Sequence, residues 1–80
     1  MRCIFAKSLQ DGKLLKMGSD TDPVCEIMDI GKYTGTLQYE VEMTGKQLAE
    51  FVKKYKYQID QSVVEQIELQ HNYIVVAMDW

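Results

Sequence analysis

With 80 residues the chain has room for one small domain, predicted to span residues 1–80, and its core must be thin. A hydrophobic content of 46% argues against disorder, and a net charge of −3 argues against the strongly basic surface typical of nucleic-acid binders. No stretch approaches the roughly 18 apolar residues of a membrane span, and no secretory signal is recognisable, so we expect a cytoplasmic protein with Cys3 and Cys25 as free thiols.

The first predicted element is a β-hairpin of strands 2–9 and 13–17 that turns at Asp11-Gly12. Asp-Gly pairs accept the positive φ angles of a two-residue turn, and such a turn pairs Ala6 with Met17. Strand alternation then separates two rows of side chains. The row predicted to face the core is Ile4, Ala6, Leu15 and Met17. The opposite row is Phe5, Lys7, Leu9, Leu14 and Lys16.

A second hairpin is predicted from strands 24–30 and 36–43, joined by the loop 31–35. It follows the loop 18–23, which holds the only proline of the chain. Residues 36–43 alternate between apolar and polar side chains, so this strand should have one buried face and one wet face. The side chains of the wet face are Gln38, Glu40 and Glu42.

Residues 45–56 predict an amphipathic helix, because a capping box of Thr44 and Gln47 precedes an apolar stripe at helical spacing. The stripe consists of Leu48, Phe51, Val52 and Tyr55. The segment 58–70 suits either a helix or a strand, and we favour a helical turn at 60–66 followed by a short strand. Residues 73–79 are apolar at successive positions, which is typical of a central strand covered on both faces.

These elements predict an α+β fold: an antiparallel sheet of about five strands with one main helix, residues 45–56, packed on one face. A helix of about 18 Å cannot cover both faces of such a sheet. We therefore expect the second face to be covered by the segment 58–70, by a second copy of the chain in a homodimer, or by a foreign partner. That surface is predicted to centre on Phe5, Leu9 and Leu14, with Tyr73, Val75 and Ala77 nearby.

No pattern in the sequence predicts catalysis, a metal site or a cofactor. Asp20, Asp22 and Glu26 have a spacing that can bind Ca²⁺ or Mg²⁺, but the full calcium-loop pattern is absent and Asp22-Pro23 is ordinary turn chemistry. His71 has no predicted nucleophile or orienting acid, and His71-Asn72 suits a turn. We therefore expect the chain not to be an enzyme.

The leading functional interpretation is a small non-catalytic protein-binding module, acting as an inhibitor or adaptor of a larger protein. In size and compactness the chain resembles, in style only, the accessory proteins of phages and mobile elements. The residues predicted to contact a partner are Phe5, Leu9, Leu14, Tyr33 and Trp80.

Two other functions compete with this interpretation. The first is nucleic-acid binding, since the segment Lys53–Tyr57 interleaves bases with aromatic rings. Its candidate residues are Lys53, Lys54, Lys56 and Tyr57. Helix amphipathicity and the helix dipole already account for these residues, and nucleic acid is therefore the less favoured partner. Binding of a small ligand is the third interpretation.

Overall fold

The computed structural model describes residues 2–35 and 37–79, so Trp80, a predicted partner-binding residue, lies outside the described residues. The elements in chain order are β1 (Arg2–Ser8), β2 (Leu14–Gly18), α1 (Thr21–Ile30), β3 (Lys32–Tyr33), β4 (Gln38–Thr44), α2 (Gly45–Lys54), α3 (Ser62–Gln66) and β5 (Asn72–Asp79). The strands form one antiparallel sheet in the order β2-β1-β5-β4-β3. The predicted α+β fold with a five-stranded antiparallel sheet is confirmed, and β5 is its central strand.

The first hairpin has the predicted faces but a different register. Ala6 pairs with Leu15 instead of Met17, and the turn is longer than two residues, with the Gly12 amide donating to the Ser8 carbonyl oxygen at 3.0 Å. Gly12 has the positive φ, +73°, that was expected of it. Because the register differs by two residues, each side chain keeps its face, and the predicted core row is buried.

The predicted strand 24–30 is wrong, because these residues lie in the helix α1. Val24 and Ile27 are fully buried and Met28 packs against the core, which is helical spacing. Asp20 takes the extended N-cap conformation, and Pro23 lies in the first helical turn, where a missing N–H breaks no intrahelical bond. Pro23 therefore marks a helix start instead of the loop that was predicted around it.

Since 24–30 is helical, the antiparallel partner of β4 at this edge is β3, which lies inside the predicted loop 31–35. The chain leaves α1 at Gly31, whose amide donates to the Ile27 carbonyl oxygen at 2.7 Å. A Cβ at Gly31 would lie 2.5 Å from the Ile27 carbonyl oxygen and 3.0 Å from the Glu40 carbonyl oxygen, so the backbones of α1 and β4 leave no room for a side chain there.

Both predicted features of the main helix are present in α2. The Gln47 amide donates to Thr44 Oγ1 at 3.1 Å, and the Thr44 amide donates to Gln47 Oε1 at 3.0 Å, which completes the capping box. Leu48, Phe51 and Val52 are buried as predicted. The helix ends at Lys54, two residues earlier than expected, and the chain continues in turns.

The helical turn predicted at 60–66 is confirmed as α3, but the short strand predicted after it is wrong. Both edges of β5 are already paired, with β1 on one side and β4 on the other, and residues 67–71 form a turn beside the sheet. Tyr73 holds this turn, since its hydroxyl oxygen accepts the Glu68 amide at 2.9 Å.

The helices all pack on the same face of the sheet. α1 contacts β1, β4 and β5, α2 contacts β4 and β5, and α3 contacts β2. The side chains that the strands contribute to the core are Ile4, Ala6, Leu15, Met17, Met43, Tyr73, Val75 and Ala77. The helices contribute Val24, Ile27, Leu48, Ala49, Phe51, Val52 and Val63. The helix predicted at 45–56 thus shares its face with a second helix of ten residues, and the opposite face of the sheet remains without a helix in the described chain.

Phe51 is buried under α2, and its truncation tests this core. We predict that Phe51→Ala lowers the free energy of unfolding by about 3–5 kcal/mol, because it removes buried apolar surface and leaves a cavity. Tyr57→Ala is the matched control, since that ring is 89% exposed and its loss should change stability by less than about 0.5 kcal/mol. Urea unfolding followed by circular dichroism compares the two, and equal unfolding midpoints would contradict the core assignment.

Candidate functional site

The candidate site is the face of the sheet turned away from the helices, here called the outer face. Alternation and strand pairing define its members, because successive side chains of a strand point to opposite faces. The outer face comprises Cys3, Phe5, Lys7, Leu14, Lys16, Lys32, Gln38, Glu40, Glu42, Ile74, Val76 and Met78. No helix among the described residues covers it, and its surface is therefore open to a partner.

The centre of the outer face is apolar. Val76 lies on the central strand β5 and is only 5% exposed, although no helix packs on it. Its cross-strand neighbours are Phe5 on β1 and Glu40 on β4. Cys3, Phe5, Ile74 and Met78 are half-buried, and they surround Val76 on β1 and β5. The sheet thus presents a continuous apolar strip two strands wide.

Charges of opposite sign flank this strip. Lys7 and Lys16 lie on the β1 and β2 side, while Glu40 and Glu42 lie on β4. Lys7, Ile74 and Glu42 occupy one cross-strand row. The strands that carry Lys7 and Glu42 lie about 10 Å apart, with β5 between them. Gln38 Nε2 donates to Glu40 Oε1 at 2.9 Å, which fixes that carboxylate at the surface. The outer face therefore carries Lys7 and Lys16 on one side of the strip, and on the other side Glu40 and Glu42 with Lys32 beside Glu40 at the sheet edge.

Two of the predicted partner-binding residues meet on this face. Phe5 lies on β1, and Leu14, 49% exposed, lies on the neighbouring strand β2. Leu9 lies in the hairpin turn, where its amide donates to the Asn72 carbonyl oxygen at 2.9 Å. Tyr33 lies on β3 at the far edge and on the helix side of the sheet, with its ring centroid 5.2 Å from that of Tyr39. Phe5 and Leu14 are thus the predicted pair that the fold brings together.

The side chains of β5 that were predicted to lie near Phe5 are on the opposite face of the sheet. Tyr73, Val75 and Ala77 were expected near Phe5, but they are buried under the helices. The outer face carries the alternate set, Ile74, Val76 and Met78. Both sets are apolar, so composition does not distinguish them. Pairing does, because Phe5 lies opposite Val76.

One residue of the nucleic-acid interpretation, Lys54, is engaged with another helix of the chain. Lys54 Nζ lies 2.6 Å from Glu26 Oε1, and the Tyr55 hydroxyl donates to the same oxygen. Lys56 Nζ lies 5.0 Å from the centroid of the exposed Tyr57 ring. Of the three lysines proposed to neutralise phosphate, Lys54 already has a carboxylate partner, which leaves a weaker basic surface than the sequence indicates.

The acidic residues considered as cation ligands do not converge. Glu26 faces Lys54 and Tyr55, whereas Asp22 Oδ2 accepts from Gln58 Nε2 at 3.0 Å. Asp22 and Asp20 line an open depression of about 290 Å³ together with Ser19, Thr21 and Gln58. Among the described residues, no group of three or more His, Cys, Asp or Glu side chains is placed to hold a metal ion.

His71 lies beside a serine, in an arrangement that superficially resembles a nucleophile and its base. Its Nδ1 is 3.1 Å from Ser8 Oγ. The Ser8 side chain is buried, and its oxygen also accepts the amides of Gln10 and Asp11 at 3.2 and 3.4 Å. This oxygen stabilises the hairpin turn and is closed to a substrate, so the pair explains local structure. His71 lies at the end of the turn 67–71, as predicted, whereas Asn72, which was predicted to share that turn, is the first residue of β5.

The contact between α1 and α2 perturbs two titratable groups. Burial raises the pKa of the Tyr55 phenol to about 12, and the hydrogen bond to the Glu26 carboxylate acts in the same direction. Burial also raises the pKa of Glu26, but hydrogen bonds from Lys54 and Tyr55 outweigh it, and the net pKa lies below its ordinary value. The protonated phenol therefore stabilises the fold below pH 10.0, and this contribution is lost as the pH rises to about 12.

We predict that Glu26→Gln lowers the pKa of Tyr55 towards the ordinary value of 10.0, because the carboxylate that disfavours phenolate is removed. Glu50→Gln, at an exposed position on α2, is the control and should leave that pKa unchanged. Ring chemical shifts followed by NMR from neutral to alkaline pH give both values. An unchanged Tyr55 midpoint in Glu26→Gln would show that this contact does not form.

Two further findings bear on function. No helix in the described ranges is both long and apolar enough to cross a membrane. Comparison of the chain with protein-family models, with curated proteins and with solved structures gives no significant match. The function must therefore be argued from the outer face itself.

Proposed function

We propose that this chain is a non-catalytic protein-binding module and that the outer face is its binding surface. The observation that carries the proposal is the apolar strip of Phe5, Val76 and their neighbours, which no helix of the described chain covers. For a domain of this size, such a function takes the form of an inhibitor or adaptor of a larger protein.

The composition of the outer face supports a protein partner. Protein interfaces have an apolar centre that excludes water and a polar rim that sets orientation. Here Val76 and Ile74 form the centre, while Lys7, Lys16 and Glu42 form the rim. The matching surface is flat and apolar in the middle, with acidic groups opposite Lys7 and Lys16 and a basic group opposite Glu42.

Variants of matched exposure test whether a protein binds there. We predict that Leu14→Glu, on the outer face, reduces the protein recovered by the tagged chain from an extract of its host by at least about tenfold, because a buried charge opposes association. Leu69→Glu is the control, since Leu69 is 60% exposed, Leu14 is 49% exposed, and only Leu14 lies on the outer face.

Circular dichroism establishes that both variants fold, and quantitative mass spectrometry measures recovery. A protein retained by the unchanged chain and by Leu69→Glu, but lost with Leu14→Glu, supports the proposal. Equal recovery by all three chains, or no specific recovery by any of them, contradicts it.

Nucleic-acid binding remains the alternative, and salt dependence separates it from protein binding. We predict no measurable complex with single- or double-stranded oligonucleotides at about 150 mM salt, because the net charge is negative and Lys54 is paired with Glu26. A salt-sensitive complex tighter than about 1 μM would favour the alternative. Replacement of Lys53, Lys54 and Lys56 together by Gln would have to abolish that complex, with fluorescence anisotropy as the measurement.

A further inference from the structure

We propose that the partner adds an extended segment to the edge strand β2, with an acidic side chain opposite Lys16 and an apolar side chain opposite Leu14. The inference rests on the proposed function, because β2 forms one border of the outer face. It follows from the hydrogen-bonding pattern of β2 and from the charges beside it.

The backbone of β2 has hydrogen-bonding groups that its own sheet does not use. In an antiparallel pair, alternate residues bond to the neighbouring strand, and the residues between them direct their N–H and C=O groups the other way. The Ser8 amide donates to the Lys13 carbonyl oxygen at 2.9 Å, so Lys13 and, two residues on, Leu15 bond towards β1. Leu14 and Lys16 therefore direct their backbone groups out of the sheet, and no other described segment makes a backbone hydrogen bond to them.

β2 is the edge of the sheet that suits an added strand. The opposite edge, β3, has two residues, whereas β2 has five. The irregularity in the pairing of β2 with β1 comes after Lys16, which pairs with Phe5, and before Gly18, which pairs with Ile4. Lys16 and Leu14 thus lie in the regular part of β2, and an added strand meets one donor and one acceptor on each of them.

The charges beside β2 favour an acidic segment. Lys16 lies on β2, and Lys7 lies on β1, opposite Leu14. The ion pairs found among the described residues lie elsewhere, so neither lysine has a carboxylate partner within that part of the chain. The acids nearest in sequence, Asp11 and Asp20, lie beyond the two ends of β2. Because residues directly opposite on neighbouring strands have Cβ atoms about 5 Å apart, an acidic side chain opposite Lys16 reaches its ammonium group.

The geometry of β2 converts these contacts into a sequence pattern for the partner. All strand pairs of this sheet are antiparallel, and we take the added strand to be antiparallel as well. Its side chains opposite Lys16 and Leu14 lie on the outer face, two residues apart. The residue opposite Lys16 comes first, so the segment reads acidic, any residue, apolar. The apolar side chain packs beside Leu14, which is 49% exposed.

The same charges oppose a second copy of β2 as the added strand. Antiparallel pairing of β2 with itself over all five residues sets Lys16 of one copy opposite Lys16 of the other. Like charges directly opposite destabilise a strand pair, and lysines on edge strands protect proteins against such pairing. Lys16 therefore disfavours self-association through this edge and favours a foreign acidic segment.

Selection from short random peptides displayed on phage, with the whole chain immobilised, tests the sequence pattern. We predict that the enriched peptides share the order acidic, any residue, apolar. The synthetic consensus peptide should bind Lys16→Glu at least about tenfold more weakly than the unchanged chain, as measured by fluorescence anisotropy. Lysine in place of the acidic residue of the peptide should restore binding to Lys16→Glu. Lys46→Glu, the same charge change at an exposed position on α2, is the control and should leave the affinity unaltered.

Loss of the outward amide tests the backbone pairing. Lys16→Pro removes that donor, and proline is tolerated on an edge strand where the N–H faces solvent, so the variant should fold and bind the peptide at least about tenfold more weakly. In the unchanged chain, the peptide should slow hydrogen exchange of the Leu14 and Lys16 amides, measured by NMR. The Leu15 amide bonds to β1 and should be protected with or without peptide.

Circular dichroism establishes that the variants fold; if Lys16→Pro does not, Lys16→Glu and the exchange of the two amides decide. Acidic peptides that bind both Lys16 variants more weakly and protect Leu14 and Lys16 support the proposal. Failure to enrich any peptide overturns it, as does enrichment of peptides without the acidic residue. Affinity that neither Lys16 variant lowers, or binding without protection of the two amides, also overturns it.

The capture experiment with Leu14→Glu separates this inference from the proposed function. If no acidic peptide is enriched while Leu14→Glu still loses a captured protein, strand addition fails and the outer face stands as a surface that binds through side chains alone. If capture is also insensitive to Leu14→Glu, both proposals fail.

Discussion

The fold depends on a central strand that is apolar on both faces. Tyr73, Val75 and Ala77 of β5 anchor the core, while Ile74 and Val76 point the other way. Both long connections, from β2 to β3 and from β4 to β5, carry their helices across the same face of the sheet. The one-sided helical layer buries half of the apolar surface of β5 and leaves the other half to its strand neighbours, which is why Val76 is sheltered only by flanking side chains.

Side-chain hydrogen bonds join α1 to α2 within the helical layer, and they engage polar residues that could otherwise bind a ligand. Glu26 of α1 receives hydrogen bonds from Lys54 and Tyr55 at the end of α2. That contact joins the two helices that cover β5, β4 and β1, and it engages one of the three carboxylates and one of the three lysines that were considered as ligands. The surface of α2 is thus largely explained by folding, whereas the outer face is not.

The sequence predicts correctly on which face of the first hairpin each side chain lies. It does not predict the register of that hairpin or the start of helix α1. The hairpin register differs by two residues, yet Ala6 and Leu15 keep their buried face because strand alternation repeats every two residues. The prediction of a strand at 24–30 is wrong because Val24, Met28 and Ile30 also fit a strand and Pro23 also suits a loop. The signals for a helix in this segment are the spacing of Val24, Ile27 and Met28 and the position of Pro23 in a first helical turn. For the site, Phe5 and Leu14 were predictable from alternation, whereas the face of Val76 required the pairing of β5 with β1.

The side chains of the outer face are not those expected of a sheet face that is simply exposed to water. Antiparallel sheets often expose one face to water, and its side chains are then polar. β4 meets that description through Gln38, Glu40 and Glu42, whereas β5 and, apart from Lys7, β1 place apolar side chains there. An apolar strip bounded by Lys7 on one side and by Glu40 and Glu42 on the other is costly in water and favourable against an apolar protein surface with complementary charges at its rim. A partner that covers Phe5, Ile74 and Val76 would supply the cover that one helical layer does not give this sheet.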